Sequence, residues 1–267
     1  MHQILHRSLK VMSVICLLTL CILLMTYPAS AGINYWTRIG LEGVRGGVDV
    51  LTIDPLTPTT LYAGTHEGLK KSTNGGRNWS YISGAGCGTL CVVLFLAIDP
   101  LTPTTLYLGF SDYYAIYLYK STNGGGNWSH IDTGYMWLTI LAIDPLTPTT
   151  LYAADGAKVY KSINGGGNWS LANTGLSASK VNSLAIDPLT PTTLYTATSS
   201  GAYKSTNGGG NWSQMNDIAD TEFHVLAVAP TKRASFIYAG TNHGVLEWTS
   251  LTSVPTISPW LLLLLDD

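Results

Sequence analysis

The sequence predicts an all-β chain: a β-propeller of five four-stranded blades, closed by its N-terminal strand. Three features lead there. A unit of 42 to 45 residues recurs along the chain. Each unit holds four short stretches rich in β-branched and aromatic residues, bounded by turns bearing Pro or Gly. The two ends of the array lack complementary parts of one unit.

The unit is clearest at its start. "LTIDPLTPTTLYAG" begins at Leu51, and close copies begin at Leu96, Leu141 and Leu184. A fifth, decayed copy, "LAVAPTKRASFIYAG", begins at Leu226. Asp54, Asp99, Asp144 and Asp187 keep the register, and Ala229 takes their place in the fifth copy. In the first unit the extended stretches are residues 48–53, 60–64, 69–72 and 78–82, and no window carries helical periodicity. Pro55 has no N–H to give a ladder, so it ends the first stretch. Asn74-Gly75-Gly76 supplies the positive-φ positions of a tight turn between the third and fourth.

Repeated four-stranded sheets have two faces to cover, and radial packing of one sheet on the next covers both. Along the second strand Leu61 and Tyr62 then point to opposite faces. Trp79, Trp128, Trp169 and Trp212 recur once per unit and are expected to pack against the neighbouring sheet or the outer turn. Trp36 stands one period before Trp79, so residues 34–39 read as a fourth strand without its first three. The last unit has the opposite defect: stretches at 225–228, 236–240 and 245–248, with no Asn-Gly-Gly turn after them. The N-terminal strand is expected to complete this blade and remove its free edge.

Residues 1–31 differ from the rest. Arg7 and Lys10 precede an apolar run at 11–25, and Ala29-Ser30-Ala31 offers small residues for cleavage, the pattern of a secretory signal peptide. The alternative, an uncleaved anchor, meets a core short for a membrane span. The expected organisation is therefore a signal peptide at 1–31, a propeller at 32–250 and an apolar tail at 251–267, itself too short to span. The mature chain would be secreted or periplasmic, with no transmembrane span. Only Cys87 and Cys91 would remain in it; in an oxidising compartment they either form a small-loop disulfide or stay as thiols.

The formal net charge is -2, falling to -4 without residues 1–31, and no basic tract is present. Nucleic acid is therefore not an expected partner. His66, His130, His224 and His243 lack ligand spacing, and no glycine-rich phosphate loop joins a strand to a helix. No metal, nucleotide or other cofactor is expected. Asn78, Asn127, Asn168 and Asn211 each open an Asn-Trp-Ser glycosylation pattern, which the repeated turn itself accounts for.

The element "KSTNGGGNWS" at 120–129, with its copies, resembles the Asp-box of bacterial neuraminidase-type repeats, whose pattern is Ser-x-Asp-x-Gly-x-Thr-Trp. Ser72, Gly76 and Trp79 match the serine, glycine and tryptophan, and Asn74 stands for the aspartate. The matches recur at Ser121, Asn123, Gly125 and Trp128, at Ser162, Asn164, Gly166 and Trp169, and at Ser205, Asn207, Gly209 and Trp212. The resemblance implies a propeller like those of sialidases, xyloglucan-degrading enzymes, sortilin-like receptors and photosystem II assembly factors. It also implies that the box is a structural turn remote from any catalytic face. Sialidases of this family use three arginines to clamp a carboxylate. After residue 31 this chain has only Arg38, Arg45, Arg77 and Arg233, with Arg77 in a box turn and Arg38 in the closing strand.

The expected function is non-catalytic: a protein- or glycan-binding or assembly module. The alternative is a glycoside hydrolase using two carboxylates on the variable face. The repeated Asp54, Asp99, Asp144 and Asp187 read as turn residues before proline, not as catalytic acids. The "DPLTPTT" and "NGGG" turns occupy one side of the propeller and hardly vary, whereas the two-to-three and four-to-one loops on the other side differ between blades. Tyr113, Tyr114, Tyr117, Tyr135 and Trp137 cluster in those unequal loops, so they are the candidate contact patch, unless they pack beneath their own loops.

Overall fold

The computed structural model describes residues 39–41, 44, 46–84, 91–112, 114–134, 136–178, 180–215, 222–230 and 235–249. All their regular structure is β. The first blade is β1 (Val48–Ile53), β2 (Leu61–Thr65), β3 (Gly68–Ser72) and β4 (Ser80–Tyr81). The second is β5 (Val92–Ile98), β6 (Leu106–Ser111), β7 (Ile116–Ser121) and β8 (Ser129–Ile131). The third is β9 (Ile140–Ile143), β10 (Leu151–Asp155), β11 (Lys158–Ser162) and β12 (Ser170–Leu171). The fourth is β13 (Val181–Ile186), β14 (Leu194–Thr198), β15 (Gly201–Ser205) and β16 (Ser213–Gln214). The fifth has three strands, β17 (Phe223–Pro230), β18 (Ser235–Thr241) and β19 (Gly244–Thr249). Each sheet is an antiparallel meander in chain order.

The fourth strands are shorter than the sequence suggests. Residue 78 does not join the ladder because its N–H is taken by the turn: Asn74 Oδ1 accepts it at 2.9 Å. The fifth blade's strands are longer than expected, and residues 34–38 of the expected closing strand lie outside the described residues, as do 1–31 and 251–267. Among the described residues, no helix is long and apolar enough to cross a membrane.

Two side-chain devices set the turns. In the one-to-two turn, Asp54 Oδ1 accepts the N–H groups of Leu56 and Thr57, both at 2.9 Å, and Asp99, Asp144 and Asp187 do the same. A carboxylate that takes two backbone donors holds a turn that proline alone would not close. In the three-to-four turn, Ser72 Oγ donates to Asn74 Oδ1 at 3.0 Å and accepts the buried Gly76 N–H at 2.9 Å. The two turns are tied together: Gly75 N–H donates to Thr59 O at 2.8 Å, and Gly124, Gly165 and Gly208 repeat the bond.

The central strands β2, β6, β10 and β14 are almost wholly buried, so both Leu61 and Tyr62 are enclosed although they point to opposite faces. The apolar core is divided among the junctions between blades. Tyr62 and Leu69 pack with Val93, Leu96 and Leu108 between the first and second blades. Tyr107 and Leu118 pack with Leu151 and Ala153 at the next junction, Tyr152 and Val159 with Leu184 and Leu194 at the third, and Tyr195 with Leu226 and Ile237 at the fourth. Burying such side chains stabilises each junction by roughly 1.5–3 kcal/mol per residue before entropy is charged.

A polar contact reinforces each junction. Lys71 Nζ lies 5.1 Å from the Tyr62 ring centroid and donates to Gly124 O of the next blade at 3.0 Å; Tyr62 Oη donates to the same carbonyl at 3.4 Å. Tyr107 Oη reaches Gly165 O at 3.4 Å under Lys120. A Cβ placed on Gly208 would stand 3.0 Å from both Lys161 Nζ and Tyr152 Oη, and its φ of 66° also favours glycine. The fifth blade has no such turn. There Trp248, paired with Ile237 as Ser72 is with Leu61, takes the place, and Lys204 Nζ sits 5.2 Å above its ring. The outer faces of the array differ: Leu51 is 61% exposed whereas Leu96 and Leu184 are buried, and Tyr238 is 39% exposed whereas its four counterparts are buried.

Two predictions follow from these contacts. Ser121→Ala should strand the buried Gly125 N–H and lower stability in urea by about 1–3 kcal/mol, while the exposed Thr122→Ala should change it little. Tyr195 has its pKa raised to about 12, by burial first and then by the charge of Asp187. The unfolded tyrosine ionises near 10, so stability should fall as pH rises from about 10 to about 12. Tyr195→Phe should remove that part of the slope in a pH series of melts.

Candidate binding face

The repeated turns leave little chemistry free on their own side. Each Asp and each box Ser–Asn pair is occupied with backbone donors. Trp128, Trp169 and Trp212 are packing residues at the junctions between blades. Trp128 packs in the first junction and Trp169 in the second. Trp212 is buried and donates Nε1–H to Ala172 O at 2.8 Å. Among the described residues, the buried Nε1–H groups of Trp79, Trp128 and Trp169 meet no acceptor. Alanine at 172 stands where the first two connections carry Ile82 and Ile131, and the indole there reaches the carbonyl.

The unequal loops are a different matter. Tyr114 is 88% exposed and Trp137 is 59% exposed. Tyr113 and Tyr135 lie outside the described residues. The loop carrying Tyr114 is fixed by Asp112, whose Oδ1 accepts the N–H of Tyr114 at 2.8 Å and of Ala115 at 2.9 Å. These donors, with the Tyr117 hydroxyl behind them, hold the Asp112 carboxyl below its ordinary range. The charge on Asp112 in turn pushes the Tyr117 phenol up. Asp132 anchors the other loop by accepting Gly134 N–H at 2.8 Å.

Tyr117 belongs to the sheet more than to the loop. Its ring lies 5.3 Å from Phe110, which stacks on Tyr119 at 5.7 Å, and Tyr119 meets His130 edge-on at 5.2 Å. This ladder runs across β6, β7 and β8 and stiffens the blade from which Tyr114 projects. Phe110 and Tyr119 were not singled out by the sequence, and His130 stood there only as a histidine without ligand spacing. Their signal was cross-strand pairing, since Phe110 opposes Tyr117 and Tyr119 opposes His130. Cys91 is buried and disulfide-bonded, and Cys87 lies outside the described residues. Among the described residues, no group of three or more His, Cys, Asp or Glu is placed to hold a metal ion.

Since neither Tyr114 nor Trp137 is held in a core, truncating them should leave the fold intact. Tyr114→Ala and Trp137→Ala should each shift unfolding free energy by no more than about 0.5 kcal/mol. Phe110→Ala, in the buried ladder, should cost about 3–5 kcal/mol in the same urea titration.

No family model matches the sequence, and no curated protein matches it. Solved structures do. An ancestral GH74 enzyme superposes with a TM-score of 0.64 at 24% identity, over 83% of this chain and 32% of that one. The GH74 xyloglucanase from Xanthomonas campestris gives 0.62 at 17% identity, over 81% and 38%. YCF48 from Cyanidioschyzon merolae gives 0.62 at 15% identity, over 84% and 74%. The chain thus spans about a third of the length of the GH74 structures and about three quarters of YCF48. With the successive four-stranded meanders, these likenesses show the fold: the chain is a β-propeller.

Proposed function

We propose that this chain is a non-catalytic binding or assembly module, secreted or periplasmic, with a signal peptide at 1–31 and a propeller at 32–250. Its protein or glycan partner is met on the side with unequal loops, around Tyr113, Tyr114, Tyr135 and Trp137. The observation that carries this reading is the exposure of Tyr114 and Trp137 on loops that Asp112 and Asp132 hold in place. Large aromatics presented on a rigid frame give contact energy at small entropic cost. The fold gives no other reason for them to be there.

A glycosidase of this architecture needs one carboxyl kept protonated as an acid and a second about 5–10 Å away. Asp112, on this side, is pulled downward and not upward. Its oxygen is spent on backbone donors. This supports binding over hydrolysis.

The test is capture from secreted or periplasmic extract, beside a glycan array, comparing the parent with a Tyr113→Ala, Tyr114→Ala, Trp137→Ala variant that melts normally. The variant should lose the specific partner. Retention of every partner would refute the location, and reducing sugar released from a glycan panel by the purified protein would refute the non-catalytic reading.

A further inference from the structure

Every internal junction brings the trailing face of one blade against the leading face of the next, and the side chains on these faces hold fixed places. On the leading face Val93, Val181 and Phe223 share one register position and Leu96, Leu184 and Leu226 another, and all are buried. On the trailing face Tyr62, Tyr107, Tyr152 and Tyr195 share one position and Leu69, Leu118, Val159 and Ala202 another, and all are buried.

The two ends of the array depart from this together. On the leading face of the first blade, Val48 is 45% exposed and Leu51 61%. On the trailing face of the fifth blade, Tyr238 is 39% exposed and Val245 77%. The first blade is nevertheless built to receive a predecessor. Gly75 holds the turn position of Gly124, Gly165 and Gly208, with φ of 70°. A Cβ on any of those three would approach a lysine Nζ and a tyrosine Oη of the preceding blade, whereas among the described residues one on Gly75 would meet nothing within 4 Å. Ile39 lies over Gly76 as Ile82 lies over Gly125 and Ile131 over Gly166. Ile82 and Ile131 stand where the preceding blade's fourth strand leaves its sheet. The first blade thus holds the exit of a fourth strand, while no sheet covers Val48 and Leu51.

The fifth blade is a three-stranded sheet whose uncovered face is the other half of this junction. Each copy of the chain therefore carries both halves. We infer that the trailing face of the fifth blade packs on the leading face of the first blade of a second copy, head to tail. Tyr238 and Val245 of one copy cover Val48, Leu51 and Ile53 of the other. The Tyr238 hydroxyl takes the place at Gly75 O that Tyr62 has at Gly124 O. Glu247 stands at the lysine position, so the tyrosine is the only donor of this pair. A sheet face three or four strands wide and six residues long covers about 300–400 Å². One junction, at about 600–800 Å² summed over both partners, is small for a stable pair, whereas two junctions reach about 1,200–1,600 Å², the size of a specific interface. Two copies closing on each other form both junctions at once. This surface is separate from the loops of Tyr114 and Trp137, and it does not depend on the reading given to them above.

Because Leu51 and Val245 are exposed, Leu51→Lys and Val245→Glu should each melt as the parent does. Sedimentation velocity of the full chain over a dilution series reads the association. The parent should sediment as a dimer that dissociates on dilution. Each variant alone should be monomeric, since a head-to-tail pair of one variant spoils both junctions. An equimolar mixture should recover the dimer. There the intact fifth blade of the Leu51→Lys chain meets the intact first blade of the Val245→Glu chain, and the other junction sets the new lysine against the new glutamate. A monomeric parent, as closure within one chain or cover by residues 250–267 would give, overturns the inference. So does a variant that dimerises alone, a mixture that stays monomeric, or growth of the parent into open polymers.

Discussion

At each junction the earlier blade offers a lysine lying over a tyrosine to the next blade, to a glycine turn at the first three and to Trp248 at the last. Lys71 and Tyr62 meet at Gly124 O, and the arrangement recurs along the array. Several other features depend on this contact. The lysine has to run along the tyrosine ring, so Tyr and Lys face each other on β2 and β3. The receiving turn has to be free of side chains, so the second box position is glycine with positive φ. The turn has to be rigid, so serine and asparagine fix it from within and the neighbouring threonine carbonyl fixes it from outside.

This frame separates the work of the two sides. The turns that make the junctions are constrained, because their aspartate, serine and asparagine oxygens are bonded to backbone donors. The loops on the opposite side close a blade without touching that lattice, and Tyr114 and Trp137 stand there.

The sequence made the repeat, the strands and both turns legible, since each rests on a local pattern: aspartate before proline, serine two residues before asparagine, paired glycines. The inward role of the box tryptophans was legible from their single place per unit. What lay beyond reach was relational. That Lys71 belongs to Gly124 spans 53 residues and shows in no local window. Trp248 looked like an ordinary strand residue until register placed it opposite Ile237, where a serine would stand. Glu67 and Lys70 likewise look like scattered surface charge until the two-to-three turn brings them within 3.3 Å.

The direction of the junction has a consequence for how the protein is made. The earlier blade gives the lysine and tyrosine, and the later blade gives the group that receives them. A chain emerging from the ribosome therefore exposes each donor pair before its acceptor has been synthesised. Every newly formed sheet waits, with one apolar face and one lysine unsatisfied, for about 43 further residues to appear. The last such pair is received by Trp248 instead of a turn.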